Sequence, residues 1–297
     1  MTGVEFHADD YGLSMNNAQR FIELMQAGRL DSISIIPNMS AYGPCMEQLK
    51  EAWSTFPKKP LFSVHLNIAD GRSLAGLTDP MLVHAGAEGT FFHTSWGRLF
   101  LCSYLPGKRG RIRRALAREF AEQIRRVYED LPEGARALRL DSHTHTHMIP
   151  VVFDAMLDAV RELGLADSLS FVRVSKEPLW PLRKAWSKVP PVNFIKNLLL
   201  NLLSGRTERK LDGLGVTHGL LWGVLTGGRM DAETVRLLLP AMRADAEAKG
   251  KQLEILFHPG IVLPEEGLPE EFTPGDRQAV CSADRDKEYE AVMGFCK

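Results

Sequence analysis

Nine consecutive residues, Arg139 to His147, hold one carboxylate and three imidazoles at alternating positions: Asp141, His143, His145 and His147. Such groups bind divalent ions and move protons near neutral pH. Successive side chains of an extended chain face opposite sides, so these four are expected on one face, with Thr144 and Thr146 on the other. Same-face neighbours two residues apart lie about 7 Å from each other and can share an ion, whereas residues four apart are separated by about 13 Å. At most two of the three histidines are therefore expected to bind one metal. Three of the chain's nine histidines fall within five positions, which favours a metal site over a solvated strand end.

Other polar groups of the same kind follow short apolar runs. Asp9-Asp10 follows Val4 to Ala8, His65 and Asn67 share a face of Leu61 to Asn67, and His258-Pro259-Gly260 follows Leu253 to Phe257. These runs read as buried strands, joined by further strands at Ser32 to Ile36, Ser170 to Val174 and Leu214 to Trp222. Helices alternate with them. Ser14 caps one that stops at Gly28, a second lies near Pro44 to Trp53, and Ile112 to Val127 marks a long amphipathic one. Others are expected over Val151 to Leu163 behind Pro150, from Asp231 to Lys249, and near Asp284 to Phe295. Strand-then-helix order over this length predicts an α/β fold in one domain, residues 1–297, with a parallel sheet closed as a distorted (β/α) TIM-like barrel. Sites in such barrels gather at the carboxyl ends of strands, where Asp9-Asp10, His65, Asp141-Ser142-His143 and His258 all fall.

Two segments depart from the alternation. Residues 71–110, with His84, His93 and Trp96, are punctuated by Gly and Pro and read as an irregular insertion. Residues 178–210 place Trp180 and Trp186 beside basic residues and then an apolar helix, Phe194 to Leu203. That helix is too short to span a bilayer and is expected to be a core or lid helix. Gly227-Gly228 matches no phosphate loop and reads as a turn.

The formal net charge is -1, with 36 Lys and Arg against 37 Asp and Glu. The charges are interspersed, so neither a nucleic-acid surface nor a polyanionic substrate is expected. Cys45, Cys102, Cys281 and Cys296 are scattered and read as reduced thiols. Without an apolar leader or a membrane-length run, the expected location is the cytoplasm.

Four motifs, in order, resemble the YdjC-type carbohydrate deacetylases: His7-Ala8-Asp9-Asp10-Tyr11-Gly12-Leu13-Ser14, Val64-His65-Leu66-Asn67, Asp141-Ser142-His143-x-His145-x-His147, and Glu254 to Gly260. Asn38, Arg173 and Glu177 add weaker matches, and the family usually carries Asn where this chain has His7. The resemblance runs from about residue 4 to residue 290. It implies a hydrolase that removes the N-acetyl group of an amino sugar with one divalent metal ion, Mg2+ or Zn2+. It further implies Asp10, His65 and His143 as ligands and Asp9 as general base. Asp9 and Asp10 can share that site only if the strand ends or twists at Asp9, because neighbours on a regular strand face apart. Asp141 is expected to orient a ligand. His145, His147, Asn67 and Arg173 are expected in supporting or substrate-binding roles. His258 is the expected proton donor to the departing nitrogen. A homodimer is compatible with this reading. Two rivals are an amidohydrolase or PHP-type hydrolase, phosphoesterases included, and a sugar-binding barrel without activity.

Overall fold

The computed structural model describes residues 3–135, 137–266 and 271–295. In chain order the elements are β1 (Val4–Tyr11), α1 (Met15–Gln26), β2 (Ser32–Ile35), α2 (Tyr42–Ala52), β3 (Leu61–Leu66), β4 (Val83–Gly86), β5 (Gly89–Phe92), α3 (Trp96–Cys102), α4 (Pro106–Asp130) and β6 (Leu138–Ser142). They continue with α5 (Pro150–Glu162), β7 (Leu169–Val172), α6 (Pro191–Leu214), β8 (Leu220–Trp222), α7 (Ala232–Ala248), β9 (Leu253–Phe257), α8 (Pro274–Val280) and α9 (Asp284–Gly294). Seven strands pair in the order β7-β6-β3-β2-β1-β9-β8, and every pairing is parallel. The sheet curls until its ends meet. Val172 N donates to Thr217 O at 3.1 Å, Thr217 N to Ser170 O at 3.2 Å and Leu221 N to Lys176 O at 3.0 Å. The expected α/β class and distorted barrel are therefore what the chain adopts.

The alternation of each strand divides the molecule into two environments. Phe6 and Ala8 of β1, Ile33 and Ile35 of β2, Phe62 and Val64 of β3, and Leu138 and Leu140 of β6 join one apolar core under the helices. The opposite faces carry Glu5, His7 and Asp9, then Ser32 and Ser34, His65, and Arg139 and Asp141, all buried. Barrels of this type usually fill their interior with branched apolar side chains. Here the interior is polar and internally paired: Arg139 and Ser32 both bond Glu5, and Ser34 Oγ donates to Asp141 Oδ2 at 2.5 Å.

Several expectations need correction. The chain from Arg139 to His147 is not extended throughout: β6 stops at Ser142 and residues 143–148 form a tight helical turn. Thr144 and His145 sit in the left-handed region at φ 53° and 59°. The cause is local competition for backbone partners. Ser142 Oγ accepts from His147 N at 2.8 Å, Thr146 Oγ1 donates to Ser142 Oγ at 3.1 Å, and Ile149 N donates to Thr146 O at 3.0 Å. The three histidines consequently leave the turn in different directions. Residues 71–110 are not irregular either, since they hold the antiparallel β4–β5 hairpin, α3 and the start of α4. The apolar helix extends to Leu214, and the strand expected from that residue is confined to β8. Cys45, Cys102 and Cys281 are free thiols, and Cys296 lies outside the described residues.

Candidate metal centre and active site

β1 delivers two adjacent carboxylates to one rim by breaking its own regularity. Its pairing with β2 shifts register between Ala8 and Tyr11, and Asp10 takes φ 81°. That twist lets Asp9 and Asp10 face the same cleft, which a regular strand forbids. Gly12, at φ 107°, continues the turn beside Ile36 O, where a Cβ would approach to 3.0 Å.

Asp10, from β1, meets His65 from the end of β3 and His143 from the turn after β6. Asp10 Oδ1 lies 3.0 Å from His143 Nδ1 and 3.4 Å from His65 Nε2, while Arg285 of α9 holds Oδ2. One potential ligand atom from each of the three residues lies within 4.8 Å of the others. Each imidazole has its second nitrogen on another buried carboxylate. His65 Nδ1 bonds Asp141 Oδ1 at 2.7 Å, and His143 Nε2 lies 3.5 Å from Asp70 Oδ2. Metal-binding histidines are commonly fixed in this way. The field at the site favours cations. Burial alone would lower both imidazoles, yet Asp9 and Asp141 raise His65 to about 9, and Asp10 and Asp70 raise His143 well above its ordinary value. Burial opposes ionisation of Asp10, but His143 and Arg285 hold its carboxyl well below the usual range. One carboxylate and two imidazoles so arranged fit a divalent cation.

Asp9 is held differently. Arg173 binds it through both terminal nitrogens, at 2.7 and 2.8 Å, and His7 Nε2 lies 3.0 Å from Oδ1. Against the penalty of burial, Arg173, His65 and His7 keep the carboxyl well below the ordinary range. Arg173 also donates from Nη2 to Asp141 Oδ2 at 3.0 Å and from Nε to Glu254 Oε1 at 2.7 Å. A second acid–imidazole group, His7 with Asp9 and Asp141, is thus already compensated by an arginine. A third, Asp70 with His143 and Asp276, shares His143 with the first.

The remaining expected residues separate by environment. His258 lines the same cleft as Asp9, Asp10, His65 and His143, with Nδ1 3.6 Å from Glu288 Oε2. His145 lines it too, with Nδ1 3.1 Å from Ser175 Oγ, and burial together with Lys196 and Arg173 lowers its pKa well below the ordinary value. His147 is enclosed between Ser142 Oγ and Arg173 O, at 2.7 and 2.9 Å, and burial pushes it down to about 4. Asn67 faces a loop instead. It donates to Asn38 Oδ1 and Asp70 O and accepts from the Ala69 and Asp70 amides, which fixes the backbone that carries Asp70.

Sequence reasoning did not find Asp70, Arg285 or Glu288, which arrive singly from loops and the last helix. Glu5, Glu254 and Arg139 had a readable signal: each is a charge inside a short apolar strand, which requires a buried partner.

The sequence matches the YdjC-like protein family over residues 4–294. The chain belongs to that family. A carbohydrate deacetylase from Mus musculus is 26% identical over 262 residues, covering 85% of this chain and 76% of the mouse protein. A crystal structure of a candidate cellobiose-phosphate cleavage protein from Enterococcus faecalis aligns with TM-score 0.58 and 17% identity, over 98% of this chain and 95% of that one. The latter likeness is one of fold. Among the described residues of this YdjC-like chain, no helix is long and apolar enough to cross a membrane.

Proposed function

We propose that the protein is a metal-dependent hydrolase that removes the N-acetyl group of an amino sugar. The observation that carries this reading is the Asp10, His65 and His143 cluster in a cleft of about 410 Å³, within a chain related to a carbohydrate deacetylase. A divalent ion held there, magnesium or zinc, would polarise the acetamide carbonyl and lower the pKa of a bound water.

Asp9 is the general base. Arg173 and His7 keep it anionic and fixed, and the same contacts make it a weak base that accepts a proton only from an acidified nucleophile. An amide anion is too basic to leave, so the nitrogen must be protonated as the C–N bond breaks. His258, on the same cleft wall, supplies that proton. Asp141 and Asp70 hold the two imidazoles in one orientation. Asn193 and Lys196 of α6 also line the cleft, so residues 178–210 form a side wall that shapes the substrate site.

The test is acetate release from a panel of N-acetylated amino sugars after chelation and after return of Mg2+ or Zn2+. Activity should vanish and recover. Asp10→Ala, His65→Ala and His143→Ala should each lose bound metal by elemental analysis. Release of phosphate from sugar phosphates without acetate release, or stoichiometric metal in all three variants, would overturn the reading.

A further inference from the structure

The helix α6 is apolar on both faces. Its inward side chains mix Leu200, Leu203 and Leu211 with Asn197, Ser204 and Thr207, all buried, while Ile195, Leu198 and Leu202 point outward at 69%, 57% and 77% exposure. A helix on a water-soluble protein ordinarily turns polar residues to solvent. Trp180 and Trp186, just before it, are also about half exposed. A second exposed set lies at the α3–α4 junction, where Leu101, Tyr104 and Leu105 project. Together these two segments hold eight of the twelve large hydrophobics that stand exposed among the described residues.

The two sets both lie near α5. Val151 N, at the start of α5, donates to Ser103 Oγ at 3.2 Å, which places the α3–α4 junction there. Lys196 of α6 lines the same cleft as His145, from the turn that leads into α5. One helical turn beyond each apolar set, Arg109 of α4 and Arg206 of α6 converge on Asp154 of α5. The apolar residues therefore flank the amino end of α5, beside the mouth of the cleft.

The charge around them is predominantly basic. The near-zero net charge of the chain conceals this, because residues 101–118 and 178–210 hold thirteen of its 36 basic residues and one of its 37 acids. Arg109, Arg113, Arg161, Arg206 and Lys210 line a cavity of about 290 Å³ around Asp154. Asp154 and Asp158 offset part of this charge through ion pairs.

We propose that this face docks the protein peripherally on an anionic phospholipid bilayer. Exposed Leu, Ile and Trp side chains enter the acyl boundary, and the basic rim and cavity meet lipid phosphates. A nucleic acid offers the phosphates but no apolar interior for Leu198 and Leu202. A second copy of the chain would bring one basic rim against another, because a two-fold interface pairs a patch with itself. The proposal goes beyond the chemistry of the cleft and stands or fails apart from it.

The experiment is co-sedimentation of the full chain with phosphatidylcholine vesicles, with and without phosphatidylglycerol, alongside light scattering of the free protein. Binding should require phosphatidylglycerol and weaken as salt is raised. The double variant Leu198→Glu/Leu202→Glu should keep its thermal melt and reduce partitioning about tenfold or more. Arg161→Glu should give a smaller loss, and Leu237→Glu, an exposed site on α7, should bind as the unaltered protein does. Absence of binding to the anionic vesicles overturns the proposal. So does a dimer that the double variant converts to monomer, since a second copy would then cover the face.

Discussion

The barrel interior and the outer face of α6 both reverse the usual placement of polar and apolar groups, with opposite consequences. Inside, the charges are buried, and each is answered: Glu5 by Arg139, Asp9, Asp141 and Glu254 by Arg173, and Asp10 by Arg285. Outside, Leu198 and Leu202 of α6 stand exposed to solvent. A buried charge without its partner is expensive, so the interior specifies one arrangement tightly. An exposed leucine costs the fold little, so the outer face is free to answer to something other than stability.

The sharpest way to break the interior arrangement is at Asp9. Asp9→Asn keeps the shape but removes the charge and turns one of the two atoms that accept from Arg173 into a donor. It should retain metal while turnover of an N-acetyl sugar falls by on the order of 10² to 10⁴. Near-normal turnover in that variant removes Asp9 from the reaction. Next in size is Arg173→Leu, which strands three carboxylates and should cost about 3–5 kcal/mol in chemical denaturation. An unchanged midpoint would mean that the interior charges do not depend on this guanidinium.

Glu177 supplies a pH test. Burial raises its carboxyl to about 7, even though the Gly223 and Leu225 amides and Asn197 bond its ionised form. A carboxyl raised on folding favours the protonated native state, so its contribution is fully present below the ordinary value of 4.5 and is lost as pH rises through about 7. Thermal melts across that window should fall by about 3 kcal/mol at most, and Glu177→Gln should flatten the fall. The smallest effects come from two adjacent residues. Asn197→Leu, facing inward, should cost about 1–3 kcal/mol by leaving polar partners unpaired, whereas Leu198→Ser, facing outward, should stay within about 0.5 kcal/mol in the absence of lipid. Equal costs would erase the contrast between the two faces.

Much of this was legible in the sequence because strands of a parallel sheet end at one rim. Asp9, Asp10, His65 and His258 could be assigned to a common end from strand boundaries alone, and the need for a twist at Asp9 followed from side-chain alternation. The turn after Ser142 was not legible. Alternating histidines and threonines fit an extended chain equally well, and the choice rests on hydroxyl bonds from Ser142 and Thr146 that no periodicity announces. Asp70 and Arg285 were hidden for another reason: their partners lie 73 and 275 residues away in the chain. The exposed apolar face of α6 was hidden because its apolar run, Phe194 to Leu203, is interrupted only by Lys196, Asn197 and Asn201, which gives no hint of which face turns inward.

The seam between β7 and the approach to β8 has one more consequence. Backbone bonds at Ser170, Val172, Thr217 and Leu221, continued by the Glu177 carboxylate on the Gly223 and Leu225 amides, occupy the rows that the first and last strands of an open sheet would offer to a neighbouring chain. Strand addition, the common route from sheet to aggregate, is thereby closed at this seam. Release of the seam at Glu177 would reopen it.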